Sequence, residues 1–430
     1  MTMKRLFTAV FCIILLVGLV ACAKEVDTLP QTEKARTKQD SIGTLYTKVQ
    51  ASHFKPPIIK SLSFPDDGRG AVSWGATGKD DKGNIYIGVS TYPQSNNTAF
   101  LYQLDPNTNT LVEQGDVISQ LKKSNIYSEG ESQNKIHSKI YQADDGYLYF
   151  TSFDEEGESA SRGILPTYGS HLWRKKPEDL DWEHLLATNE ALIALNTDGR
   201  YVYALGYWNH ILYQYDTLSR RFNRITVGSI KGHISRNFLV SSNGRVFVPK
   251  VEALNNGTIN TSLMEYDDQL NLVASHKLEH YLDKARFSQH GIISYINMAN
   301  GDIYFITGEG ALYKIFRNTS NTHMVEFVTF IDETAKPGSY FSSMFTIDGE
   351  DFLVGLGKLP KTSTYSWFIH QISSNTTVMY DVKEYNNRFL LYGSVTRDDL
   401  GNLYVVGVDT NDRNKHVPQL LQLSYPAPSN

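Results

Sequence analysis

Cysteine is nearly missing from this chain: two in 430 residues, Cys12 and Cys22. So few exclude a disulfide-stapled scaffold and any multi-cysteine zinc site. Charge is sparse as well, at 20% of residues, and it nearly cancels: 41 basic against 46 acidic, a formal net of −5. That balance argues against a nucleic-acid binder held by a broad basic surface. One long apolar run occurs, Leu6 to Ala21, and it is too short for a comfortable membrane-spanning helix. No GxSxG marks a hydrolase serine. What the chain does have is 41% hydrophobic residues, enough for a large core, and 26 tyrosines, which suit strands and sugar-stacking clefts.

The first residues read as an address. Lys4 and Arg5 precede the apolar run, and Leu19-Val20-Ala21-Cys22 resembles a bacterial lipobox. Residues 1–21 are therefore expected to be a signal peptide. Residues 22–54 are expected to be a flexible tether beginning at a lipidated Cys22. Cleavage would remove Cys12, Lys4 and Arg5 and no acid, leaving 39 basic against 46 acidic residues, or −7. Ala23 rather than Asp after the cysteine implies the outer membrane, by likeness to Gram-negative lipoproteins. The expected protein is exported and either secreted or held by lipid alone, at the cell surface or the periplasmic face.

Residues 55–430 repeat. A tight turn with Asp or Asn before Gly, followed by an alternating strand, recurs seven times, as in DDKGNIYIGV, ADDGYLYFTS and DDLGNLYVVG. The glycines are Gly83, Gly146, Gly199, Gly244, Gly301, Gly349 and Gly401. Each turn demands a positive φ and joins two strands. A third apolar strand follows in every unit and a fourth in the first six, so each unit is a four-stranded meander, A–B–C–D. The seventh unit lacks strand D, while IIKSLSF at 58–64 stands before the first unit without one of its own. The expected fold is all-β: a single seven-bladed β-propeller whose last blade is closed by an N-terminal strand.

Such a ring gathers the D–A and B–C connections on one face around a central channel. His137 and His171 fall there in the second repeat, and Tyr207, Trp208 and His210 in the third. His233, Arg236 and Lys250 follow in the fourth, and Tyr295 in the fifth. This face offers no convincing pair of acids, which glycoside hydrolysis normally uses. A His ring could hold a divalent ion, so a structural metal is possible and no cofactor is required. Imidazole, phenol and guanidinium groups instead fit β-elimination on a uronic-acid polysaccharide. There Arg or Lys neutralises the carboxylate, a His or Tyr takes the C5 proton, and another donates to the departing O4.

At KIHSKIYQADDGYLYF, GSHLWR and GHISRN the chain resembles the seven-bladed propeller ulvan lyases. The resemblance implies a polysaccharide lyase acting on a sulfated, uronate-containing polymer, with two histidines, a tyrosine and an arginine in its site. His137 and His171 match the histidines, and Arg236 the arginine, with Lys250 second. Tyr207 is the expected tyrosine, with His210 and His233 as alternatives for that role. Trp208, His210, His233, Lys250 and Tyr295 are the expected sugar-binding residues. Some such lyases hold a structural metal through cysteines, and the mature chain has none to spare. The expected partner is an anionic polysaccharide bound by a monomer. The alternatives are a non-catalytic glycan-binding propeller lipoprotein and an envelope scaffold.

Overall fold

Seven antiparallel sheets follow one another along the chain, each wound from the inside outward. The first pairs Thr77–Lys79, Ile85–Val89, Phe100–Asp105 and Thr110–Asp116 in that order. The computed structural model of the protein describes residues 56–65, 69–92, 97–159, 164–228, 235, 237–254, 258–281, 291–332, 339–347, 351–360, 362–386, 388–410 and 415–424. Cys22, the signal segment and the tether lie outside the described residues, as do His233 and Arg236.

The innermost strands of the next four sheets are Tyr141–Gln142, Leu192–Thr197, Leu239–Val240 and Ile292–Asn297. In the sixth sheet this strand is broken into Tyr340–Phe341 and Phe345–Ile347, both paired with Phe352–Lys358. In the seventh, Phe389–Arg397 lies innermost and Leu403–Thr410 and His416–Ser424 follow. The outermost place is taken by Ile58–Leu62 from the start of the chain, in register Ile58 with Ser424 and Leu62 with Leu420. The displaced strand therefore closes the ring.

Apolar clusters fill the seams between consecutive sheets. Tyr86 and Leu101 meet Ile136 and Trp173, Leu172 meets Tyr213, and Leu205 meets Val248. Further round, Phe247 meets Phe305, Ile306 meets Leu353, and Trp367 meets Val405. The last seam joins Leu62, Tyr404 and Leu420 of the seventh sheet to Ile85, Ile87 and Tyr102 of the first. Both faces of every sheet are thereby covered, and all seven sheets belong to one compact unit. The architecture is a closed seven-bladed β-propeller.

The turn signal has a side-chain counterpart. In the last blade Asp398 accepts from the backbone N–H of Asn402 at 2.8 Å and from the Tyr404 hydroxyl at 2.8 Å. Asp80 repeats this in the first blade with Asn84 at 2.8 Å and Tyr86 at 3.1 Å. Six of the seven turn glycines have positive φ, from 77° to 101°, and Gly349 lies outside the described residues. One element has no counterpart in the repeat: the helix Val117–Lys123 between the first two blades, capped by the Asp116 side chain on Ser119 N. It forms because Val117, Ile118 and Leu121 bury one face against Trp182.

Candidate functional site

Antiparallel alternation decides what enters the channel. Along the second blade's KIHSKIY segment, Ile136 and Ile140 turn into the seam with the first blade, so residues 137, 139 and 141 share the opposite face. His137 and Lys139 line an open pocket at the channel mouth, together with Trp74, Gly75, Asn237, Ile293, Tyr340, Tyr392 and Gly393. These come from the starts of the innermost strands of blades one, two, four, five, six and seven. No Asp or Glu is among the described lining residues.

The pocket is aromatic on one side. The Trp74 ring stacks on His137, 6.3 Å between centroids and 9° between planes. It meets Tyr392 at 4.7 Å, and Tyr392 meets Tyr340 at 6.4 Å. Lys135 sits 4.6 Å over Trp74 and is paired with Glu155.

Lys139 has a different environment. It is 6% exposed, and among the described residues its Nζ has no hydrogen-bond partner. Burial pushes its ammonium down from the usual lysine range to about 7. Its Nζ lies over the Tyr295 ring, 5.6 Å from the centroid. The Trp74 Nε1–H is likewise buried without a partner among the described residues. Two hydrogen-bond donors in one pocket thus have no acceptor among the described residues.

Beneath Lys139 the channel is crossed. Two residues further along the chain, where the innermost strand begins, the Tyr141 hydroxyl is hydrogen-bonded to that of Tyr295. Tyr295 in turn donates to Asn196 Oδ1 at 2.7 Å, and Asn196 Nδ2 donates to the Phe238 carbonyl at 3.1 Å. Blades two, five, three and four are tied together at this level. Burial raises the Tyr141 and Tyr295 hydroxyls above the usual tyrosine range.

Of the residues expected from the sequence, His137 lines the pocket and Tyr295 helps close it from below. His171 lies elsewhere. Buried in strand Ser170–Lys175, it takes the middle of a relay, with Nδ1 2.9 Å from His184 Nε2 and Nε2 3.0 Å from Glu131 Oε1. Burial, then the neighbouring His171, lowers His184 to about 4. Trp208 is buried, packed on Phe153, Ala191 and Ile193, and its Nε1 donates to Glu158 at 3.3 Å. Tyr207 is half-buried with its ring 4.4 Å from that of Trp208. Glu190 fixes this loop by accepting from the Trp208 and Asn209 amides at 3.1 and 2.9 Å. His210 is buried at a left-handed position, φ 55°. Lys250 lies on strand Val246–Ala253, paired with Glu252 at 2.8 Å. His233 and Arg236 lie outside the described residues.

A second carboxylate–histidine cluster lies at the outer edge of blades four and five. Buried Glu265 bonds His276 at 3.0 Å and His323 at 2.8 Å. Burial opposes its ionisation, but those bonds hold the carboxyl down at about 2. Among the described residues no group of three His, Cys, Asp or Glu is arranged to hold a metal ion.

No protein-family model and no curated protein matches the chain. Solved structures do. The β-propeller domain of Myceliophteria thermophila Cps50 (Swd1) superposes with a TM-score of 0.51 at 9% identity, over 85% of this chain and 99% of that one. U3-55K gives 0.50 at 9% identity, over 86% of this chain and 100% of its own. The likeness is one of fold alone. Propellers host many unrelated activities, so the residues of the pocket must carry the functional reading.

Proposed function

We propose that the protein is a glycan-binding propeller that holds an acidic saccharide in the channel-mouth pocket without cleaving it. Cys22 would display it at the outer membrane through a lipid anchor. Lys139 carries this reading. A buried cation with no counter-ion costs free energy, and among the described residues Lys139 has none and the pocket lining holds no carboxylate. That is the receptor half of an ion pair whose other half arrives with the ligand. Trp74, Tyr340 and Tyr392 add flat surfaces suited to a pyranose ring. Titration calorimetry of the purified protein with ulvan, alginate, pectin, glycosaminoglycans and a neutral glucan tests it. Saturable binding to an acidic glycan that is unchanged after long incubation supports the reading. No binding to any acidic glycan by folded protein overturns it.

One observation favours a second reading, β-elimination. With its ammonium lowered to about 7, Lys139 offers a fraction of free amine beside His137 at neutral pH. The amine would take the C5 proton of a uronate. The C–H electrons would form the C4–C5 double bond as O4 departs with a proton from His137. Ultraviolet absorbance of an unsaturated uronate would replace the first reading with this one.

A further inference from the structure

We propose that the pocket recognises the terminal unit of an acidic glycan end-on, with Lys139 Nζ and Trp74 Nε1–H taking the two oxygens of that unit's carboxylate. The inference rests on the binding role proposed above and adds which part of the glycan enters. Two observations carry it. First, the unpartnered donors are an ammonium and an indole N–H, matching the two oxygens of a carboxylate. A sulfate ester, with three free oxygens, would leave one unmatched. Second, the pocket ends blindly: the Tyr141–Tyr295–Asn196 chain crosses the channel two residues below Lys139. A polymer cannot thread past that level to present an internal unit to a lysine near the bottom.

The same reasoning assigns specificity. A neutral terminal sugar would bury Lys139 without a counter-ion, so a site built around an unpaired donor rejects it more strongly than lost contacts alone would.

Calorimetry on the whole protein tests the inference with five probes. These are free glucuronate, a glucuronate-terminated oligosaccharide, the same oligosaccharide capped by a neutral sugar, glucose 6-sulfate and glucose. The first two should bind alike, and the capped oligosaccharide, the sulfate and glucose should bind at least about tenfold more weakly. Lys139→Met should lose glucuronate binding at least about tenfold while circular dichroism stays unchanged, and Lys139→Arg should recover part of it. Equal binding of capped and uncapped oligosaccharides would overturn end-on recognition and leave the glycan-binding role standing. Stronger binding of glucose 6-sulfate than of glucuronate would overturn the carboxylate assignment. Undiminished binding by folded Lys139→Met would remove Lys139 from the site. If none of the acidic probes or polymers binds, both the inference and the proposed function fall.

Discussion

Lys139 Nζ lies 5.6 Å from the centre of the Tyr295 ring, and burial lowers its ammonium, with no carboxylate among the described residues raising it. The folded protein thus carries a lysine that would rather be neutral, and its stability must record the fact. The unfolded chain keeps this proton up to about pH 10.5, whereas the folded chain releases it near 7. Below 7 the full penalty applies, and stability from this group rises with pH between about 7 and 10.5. Replacing Lys139 with Met should raise stability by about 1–3 kcal/mol at pH 7 and flatten that slope. Denaturant melts of both proteins between pH 7 and 10 measure this. A less stable Lys139→Met variant would contradict it.

Ligand affinity should follow the same proton with the opposite sign. A carboxylate prefers the charged lysine, so binding above pH 7 must first return a proton to Lys139. Among the described residues the groups around it are His137 and Tyr141 of its own segment, Tyr295 of the fifth blade, Tyr340 and Tyr392 across the pocket, and the Lys135–Glu155 pair beside Trp74. Glucuronate affinity should fall about tenfold per pH unit above 7, with about one proton taken up on binding. Calorimetry in buffers of different ionisation enthalpy reads both quantities.

His171 should prove structural. His171→Phe strands buried Glu131 without its 3.0 Å partner, which should cost about 2–4 kcal/mol. Glycan affinity should stay within about twofold, because His171 does not line the pocket. Loss of binding or turnover in a His171→Phe protein of normal stability would return this histidine to the functional site.

The turn carboxylates should matter more than a place in a tight turn implies. Asp398→Ala removes the acceptor for the buried Tyr404 hydroxyl and for the Leu400 and Asn402 amides. A loss of about 2–4 kcal/mol is expected in a urea melt. Changing Tyr404 to Phe as well should recover part of it, since the stranded hydroxyl is then gone.

Ring closure should be testable at Leu62, buried where the seventh blade meets the first. Leu62→Ala should cost about 2–4 kcal/mol. Deleting residues 56–64 should expose the edge of strand His416–Ser424 and produce oligomers on size-exclusion chromatography.

The fold was legible because each blade writes its turn and strand pattern into the chain separately. Seven weak signals at a steady spacing amount to a strong one, and the unmatched IIKSLSF segment found its place by elimination. The helix Val117–Lys123 was not legible, since it belongs to a connection outside the repeat. The site was legible only in part. His137 stood out because a histidine at a strand start is conspicuous. Lys139, two residues on, was passed over because lysines usually sit in water. The alternation of Ile136 and Ile140 with His137 and Lys139 was the available signal. Trp74, Tyr340 and Tyr392 lie where the innermost strands are short or broken, so no period marks them. Trp208 and His171 faced inward for reasons visible only in three dimensions: Glu190 pins the loop of one, and Glu131 and His184 bracket the other. Of the tyrosines, read from composition as suited to strands and sugar-stacking clefts, Tyr86, Tyr149 and Tyr404 are hydroxyl locks for turns.

The closing strand has one more consequence. Trp74 and Tyr392, whose rings meet at 4.7 Å, come from the first and last blades. Their shared wall lies at the seam that Ile58–Leu62 helps hold shut. A saccharide in the pocket therefore acts as a clasp on the ring, binding the closed state and not the sprung one. Affinity for it becomes a gauge of closure, and saturating ligand should partly rescue any variant weakened at the seam.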